Sequence, residues 1–195
     1  SFTIISIGFS NTIVYRNKAK INDDIYVSGN LGDSYIGLLL LRDKIKISKG
    51  PLKKYFINQY YMPNIQLKLV EKIKNFANTS IDISDGLLTD LDKMINTQNL
   101  SYQIKLKDIP ISSNLKKTLE LKNLAKINYI SKGDDYQVLF TASKSKRRII
   151  SKASSNYGVK ITRIGSIKAS SKKSTIFDHK NKQISLKNKG YFHIF

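Results

Sequence analysis

The segment "SIDISDGLLTDLDKM", Ser80–Met94, changes period in mid-course. Ile81 and Ile83 alternate with Asp82 and Ser84, the period-two pattern of a strand with one apolar face. After Gly86, residues Leu87, Leu88, Leu91, Met94 and Ile95 recur at helical spacing. A strand that becomes a helix within one Ser-Asp-Gly triplet puts its acidic side chains at the strand's carboxyl end. Asp82 and Ser84 leave the strand on one face and Asp85 opens the helix, so all three can point into one crevice. Such a set suits a divalent cation held beside a phosphate: first-turn amides take anionic oxygen, and Mg²⁺ takes carboxylate oxygen and water. Ser84 or Asp85 also reads as a plain helix cap. Asp90 and Asp92 fall farther along the helix and read as solvent-facing.

The rest of the chain alternates strands and helices in the same manner. Ile25–Val27 reads as a buried strand, Gly29 and Gly32 bracket a turn, and Asp33-Ser34 can cap the helix that follows. Helices are expected over 52–61 and 64–77, on either side of Pro63, and over 113–122 and 145–156. Strands are expected over 101–106, 135–142, 159–167 and 174–177, with "DHKNKQ" as a turn before a last short strand. The chain opens inside a further alternating pattern, "SFTIISIGFS", read as a strand separated from its upstream neighbours. This order predicts an α/β (α+β) fold, a two-layer sandwich in which helices cover a mixed β-sheet.

Composition removes several functions. With no cysteine there is neither a disulfide nor a thiolate metal site, and two histidines cannot build a three-histidine zinc site. No run of ~18 apolar residues occurs, so no membrane span is expected, and a cytoplasmic location fits. The net charge of +20 invites a nucleic-acid reading. However, the excess is mostly lysine, arginine is scarce, and Ile, Asn and Ser abound, as an AT-rich genome produces. The basic run "SKSKRRIISK", Ser143–Lys152, lacks interleaved aromatics and reads as the solvated face of a helix.

Two other segments could carry chemistry. "SKGDDYQVLF", Ser131–Phe140, sets Asp134 and Asp135 between a glycine and a buried strand, either beside a ligand or as a capped turn. "GNLGDS", Gly29–Ser34, lacks the spacing of a P-loop or dinucleotide fingerprint and reads as a tight strand-to-helix turn.

Taken in order, four segments resemble the thiamine-monophosphate kinase family. "SIDISDGLLTDL" is similar to its "IDxSDGLxxDL". "YRNKAKINDDIYVSGNLGDSYIGLLLL" is similar to "RxGAxxGDxIYVTGxLGDSAAGLxLL". "KGDDYQVLFT" is similar to "GGEDYELLFT", and "NKGYFHIF" to "KGYDHF". The resemblance implies the fold of the C-terminal domain of the aminoimidazole-ribonucleotide-synthetase superfamily. Residues 1–15 would be the last strand and linker of an N-terminal domain that binds ATP and metal through acidic motifs and a "GGDTT" loop. Residues 16–195 would be the C-terminal domain. The implied activity is transfer of the γ-phosphoryl group of ATP to thiamine monophosphate with Mg²⁺, by a homodimer. By position, Arg16 and Ser84 would contact ATP, Asp82 and Asp85 would bind Mg²⁺, and Asp134 and Tyr191 would contact the substrate. No side chain would act as nucleophile, because the acceptor's own phosphate oxygen attacks. Lys132, Asp134 and Gln137 depart from the family's Gly, Glu and Glu. The alternatives are a sister enzyme of the superfamily with another acceptor, or a basic nucleic-acid-binding module.

Overall fold

A computed structural model describes residue 9, residues 11–170 and residues 173–184. The expected strand within residues 1–10, Tyr191 and the rest of the closing motif lie outside the described residues.

Seven strands form one sheet, in the order β2-β4-β1-β5-β3-β6-β7. They are β1 (Asp24–Ser28), β2 (Thr79–Asp82), β3 (Leu100–Lys105), β4 (Val138–Ala142), β5 (Ile161–Ala169), β6 (Thr175–Phe177) and β7 (Gln183–Ile184). All neighbours are antiparallel except β3 and β6, so the sheet is mixed as the sequence implies. The pairings make β2 parallel to β3, and β4 parallel to β5. Each of these pairs is joined by a helix that passes over the strands between them: α4 (Leu87–Ile95) and α7 (Arg147–Tyr157). Right-handed crossovers that start from oppositely directed strands put their helices on opposite faces.

The packing follows this rule. Along β1, Ile25 and Val27 join α4 in one buried cluster, while Tyr26 joins α7 and α3 (Leu67–Ile73) in another. Leu87, Leu88, Leu91 and Met94 of α4 are wholly buried. Truncating any one of them to Ala costs about 2–5 kcal/mol. On the other face Tyr26 stacks on Phe140, with ring centroids 5.1 Å apart.

A third cluster lies beside the sheet. There α1 (Asp33–Leu41), α2 (Pro51–Tyr61), α5 (Ser113–Leu121) and α6 (Ile127–Ile130) close around Ile36, Phe56 and Leu115. Of these, α6 has no counterpart among the sequence expectations, because four residues are too few to show a period. The helix expected over 64–77 is shorter, Leu67–Ile73, and the strand expected from residue 135 begins at Val138. Residues Asp135–Gln137 instead belong to the loop that builds the candidate site.

Candidate active site

The two acidic motifs meet backbone to backbone. At the end of β2, Ile83 N–H donates to Gln137 O (2.9 Å), and Tyr136 N–H donates to Ile83 O (2.9 Å). Asp134 N–H donates to Ser84 O (3.0 Å). So close an approach requires glycine on both sides. A Cβ on Gly86 would fall 2.3 Å from Ser131 O, and one on Gly133 would fall 2.1 Å from Ser84 O. Both glycines also have positive φ, 109° and 84°, which side chains resist.

Asp90 organises the junction from within. The helix cap is Gly86, without a side-chain cap, so neither Ser84 nor Asp85 caps α4. Instead Asp90 Oδ2 accepts the amides of Ser84 and Asp85, both at 3.0 Å. This corrects the solvent-facing reading: Asp90 is 0% exposed. Burial raises its pKa, against the hydrogen bond from Lys93. Asp92 is half-buried and hydrogen-bonds the buried Tyr102 hydroxyl. Lys93 Nζ donates to Asp90 Oδ1 (3.0 Å) and forms a close ion pair with Asp85. Burial alone would depress the Lys93 ammonium, but these two carboxylates raise it.

The second acidic motif divides in the same way between outside and inside. Asp134 and Tyr136 both have positive φ, 59° and 49°. Burial raises the Asp134 carboxyl and Asp85 adds to this, while Arg42 opposes it. Tyr136 is raised by burial and by the charges of Asp134, Asp82 and Asp85, so its hydroxyl lies in the field of all three carboxylates. Asp135 points inward, and both its oxygens accept Gly32 N–H (2.9 and 2.8 Å) at the start of α1. Burial pushes its pKa well up. The cap of α1 is therefore Asp135, 103 residues away, and not Asp33-Ser34. Asp33 instead accepts from Ser112 Oγ (2.7 Å) and the Tyr55 hydroxyl (2.8 Å), and Ser34 Oγ donates to Gln59 O (2.9 Å). The amide of Gln137 accepts from Ser28 Oγ (2.8 Å) and donates to Asn64 O (3.0 Å). A glutamate could not make that second bond.

The structure thus brings Asp82, Ser84, Asp85 and Asp134 to one edge of the sheet. Arg16 does not join them there. It is exposed and follows Tyr15, whose carbonyl accepts from Thr79 Oγ1 (2.6 Å) at the start of β2. Between these two places a cavity of about 630 Å³ runs along the sheet edge, lined by Thr12, Val14, Glu71, Lys74, Ser80 and Asp82. Among the described residues no three His, Asp or Glu side chains converge on a metal position. Asp82, exposed at the strand end, and the half-buried Asp85 suit the mode in which Mg²⁺ takes one or two carboxylates and completes its shell with phosphates and water. Sequence reasoning missed a further acidic pair. Asp23 accepts from Asn78 and Thr141, and Asp24 binds Arg147 and Arg163.

No family model matches the sequence. Among curated proteins, a thiamine-monophosphate kinase of Buchnera aphidicola subsp. Acyrthosiphon pisum is 36% identical over 182 residues, 91% of this chain and 54% of that protein. The structure of thiamine-monophosphate kinase from Stenotrophomonas maltophilia superposes with a TM-score of 0.75 at 26% identity, covering 87% of this chain and 54% of that one. AaThiL complexed with AMPPCP and TMP superposes with a TM-score of 0.73 at 30% identity, covering 92% and 54%. The chain spans about half the length of the curated relatives it matches. In sequence and in fold, the chain is a homologue of the thiamine-monophosphate kinases along about half of their length.

Proposed function

We propose that this chain is the C-terminal part of an ATP-dependent kinase that converts thiamine monophosphate to thiamine diphosphate. In this reading residues 1–15 belong to the end of the preceding domain, and the complete enzyme is a cytoplasmic homodimer. The observation that carries the reading is the closure of the 131–137 loop onto the β2–α4 junction, which brings Asp82, Asp85 and Asp134 near enough for their charges all to act on Tyr136. The relative bound to AMPPCP, an ATP analogue, and TMP supports the substrate pair.

Donor and acceptor are both phosphates, so transfer needs positive charge between them and an in-line approach. Asp82 and Asp85 would hold Mg²⁺, which, when bound, neutralises the phosphate oxygens. Ser84 offers its hydroxyl beside them, and Arg16 would take the nucleotide from the far end of β2. Asp134 would orient the acceptor from the 131–137 loop. Tyr191 would lie against its rings.

The test is thiamine diphosphate formation by the complete enzyme, with ATP, Mg²⁺ and thiamine monophosphate. Turnover is expected, falling by roughly two orders of magnitude in Asp82→Asn, as on loss of a preorganised electrostatic contact. The melting temperature of that variant should stay at the wild-type value, because Asp82 is exposed. An enzyme that leaves thiamine monophosphate untouched while phosphorylating another acceptor would replace this reading with the sister-enzyme one.

A further inference from the structure

We propose that Lys93 is a positioning residue, a built-in counter-ion that holds the Asp85 carboxylate over the junction and leaves it when a divalent cation binds there. The inference rests on the reading of Asp85 as a metal ligand. Its basis is the way Lys93 is shared. The ammonium contacts two carboxylates that are not equivalent. Asp90 is wholly buried and already accepts two amides, so its position is fixed. Asp85 is 22% exposed, and its charge acts on both Tyr136 and Asp134. Lys93 itself is 38% exposed and sits one turn beyond Asp90 on α4. It is therefore tethered at a rigid inner carboxylate and exchangeable at an outer one.

The energetics allow the exchange. An ion pair as exposed as Lys93–Asp85 adds little net stability, because its charges remain partly hydrated. A divalent cation offers Asp85 twice the charge. Once displaced, the ammonium stays bonded to Asp90, within reach of any anion the cation brings. An ammonium paired with Asp85 competes with the cation for that carboxylate, so removing the Lys93 charge tests the exchange.

The probe is Mn²⁺ alone, titrated into the complete enzyme and followed by loss of the free-ion electron paramagnetic resonance signal. Asp85→Asn should weaken Mn²⁺ binding several-fold. Lys93→Met should tighten it by about two- to fivefold, the scale of a partly exposed ion pair. Lys93→Arg, which keeps the competing charge, should bind no tighter than wild type. If Asp85→Asn leaves the affinity unchanged, Asp85 is no ligand and both readings fall. If Asp85→Asn weakens binding but Lys93→Met leaves it unchanged or weaker, only the counter-ion role is overturned. Should Lys93→Met fail to fold, Lys93→Gln repeats the measurement while retaining a hydrogen-bond donor for Asp90.

Discussion

Asp24 and Asp134 are the same side chain in a basic protein, and their surroundings drive them in opposite directions. They lie near opposite ends of β4: Asp24 is registered against Ala142, whereas the Asp134 loop closes just before Val138. At Asp24 one carboxylate takes Arg147 through Nε (2.6 Å) and Nη2 (2.9 Å), and Arg163 as well (3.4 Å). Burial would raise its pKa, yet the arginines outweigh burial and hold it below the usual carboxylate range. At the crevice, Asp134 is raised by burial and again by Asp85. Charge is saturated in one region and left in deficit in the other. Among the described residues, Arg42 is the one cation whose charge opposes the rise at Asp134. Asp134, raised rather than lowered, and Asp85, whose Lys93 is shared with Asp90, are less fully matched by cations than Asp24, and such carboxylates suit an external cation.

The largest expected effect breaks the frame of the Asp85–Asp134 side. In Asp90→Ala, the amides of Ser84 and Asp85 lose their acceptor and Lys93 loses its inner partner. Leaving these two part-buried amides without their charged acceptor costs about 2–4 kcal/mol. Chemical denaturation should show that loss. A loss below about 1 kcal/mol would mean that the turn holds itself, with Asp90 incidental.

The middle prediction sharpens the contrast. Asp24→Asn removes the charge but leaves two arginines able to turn to water, because both are about half exposed. The cost should be about 1–2 kcal/mol at neutral pH. The sign with pH follows from the lowered pKa. The native state binds the Asp24 proton less readily than the unfolded chain, so the stabilisation is present above the unfolded carboxylate pKa. It is lost as pH falls through the lower folded value. The gap between wild type and Asp24→Asn should therefore close in acid. A gap that stays constant down to the acid limit would show that packing, not charge, holds Asp24.

The legibility of these features in the sequence varies with their range. The β2–α4 junction could be read because both of its periods lie within fifteen consecutive residues. The α/β order and most strands can be read for the same reason; at the junction Asp82 ends β2, while Ser84 and Asp85 lie in the turn before Gly86 and do not open the helix. Asp90 could not be read. As a polar residue on an amphipathic helix it looks solvated, and only the close return of the chain at Gly86 buries it. The cap of α1 by Asp135 and the closure of Gly133 on Ser84 are long-range events, and no local pattern states which two loops will meet. Asp24 is hidden for a related reason: its partners, Arg147 and Arg163, lie more than 120 residues away.

The smallest effect concerns the backbone strain of the loop that carries Asp134. Tyr136 has φ of 49°, a left-handed conformation that a bulky side chain adopts at a cost of order 1 kcal/mol. The loop imposes it. Tyr136 N–H must reach Ile83 O while Asp134 N–H reaches Ser84 O, and Asp135 between them must turn inward to Gly32. Left-handed turns at 134 and 136 satisfy all three demands. Asparagine tolerates this region better than tyrosine, and Tyr136 is 41% exposed, so little packing is lost by replacing it. Tyr136→Asn should therefore stabilise the chain slightly, by about 0.5–1 kcal/mol. If the crevice keeps a strained tyrosine for its ring, the same variant should raise the Michaelis constant for the acceptor and leave that for ATP unchanged. A variant that is less stable than wild type, with both constants unmoved, would show Tyr136 to be an ordinary packing residue and the strain an incidental result of loop closure.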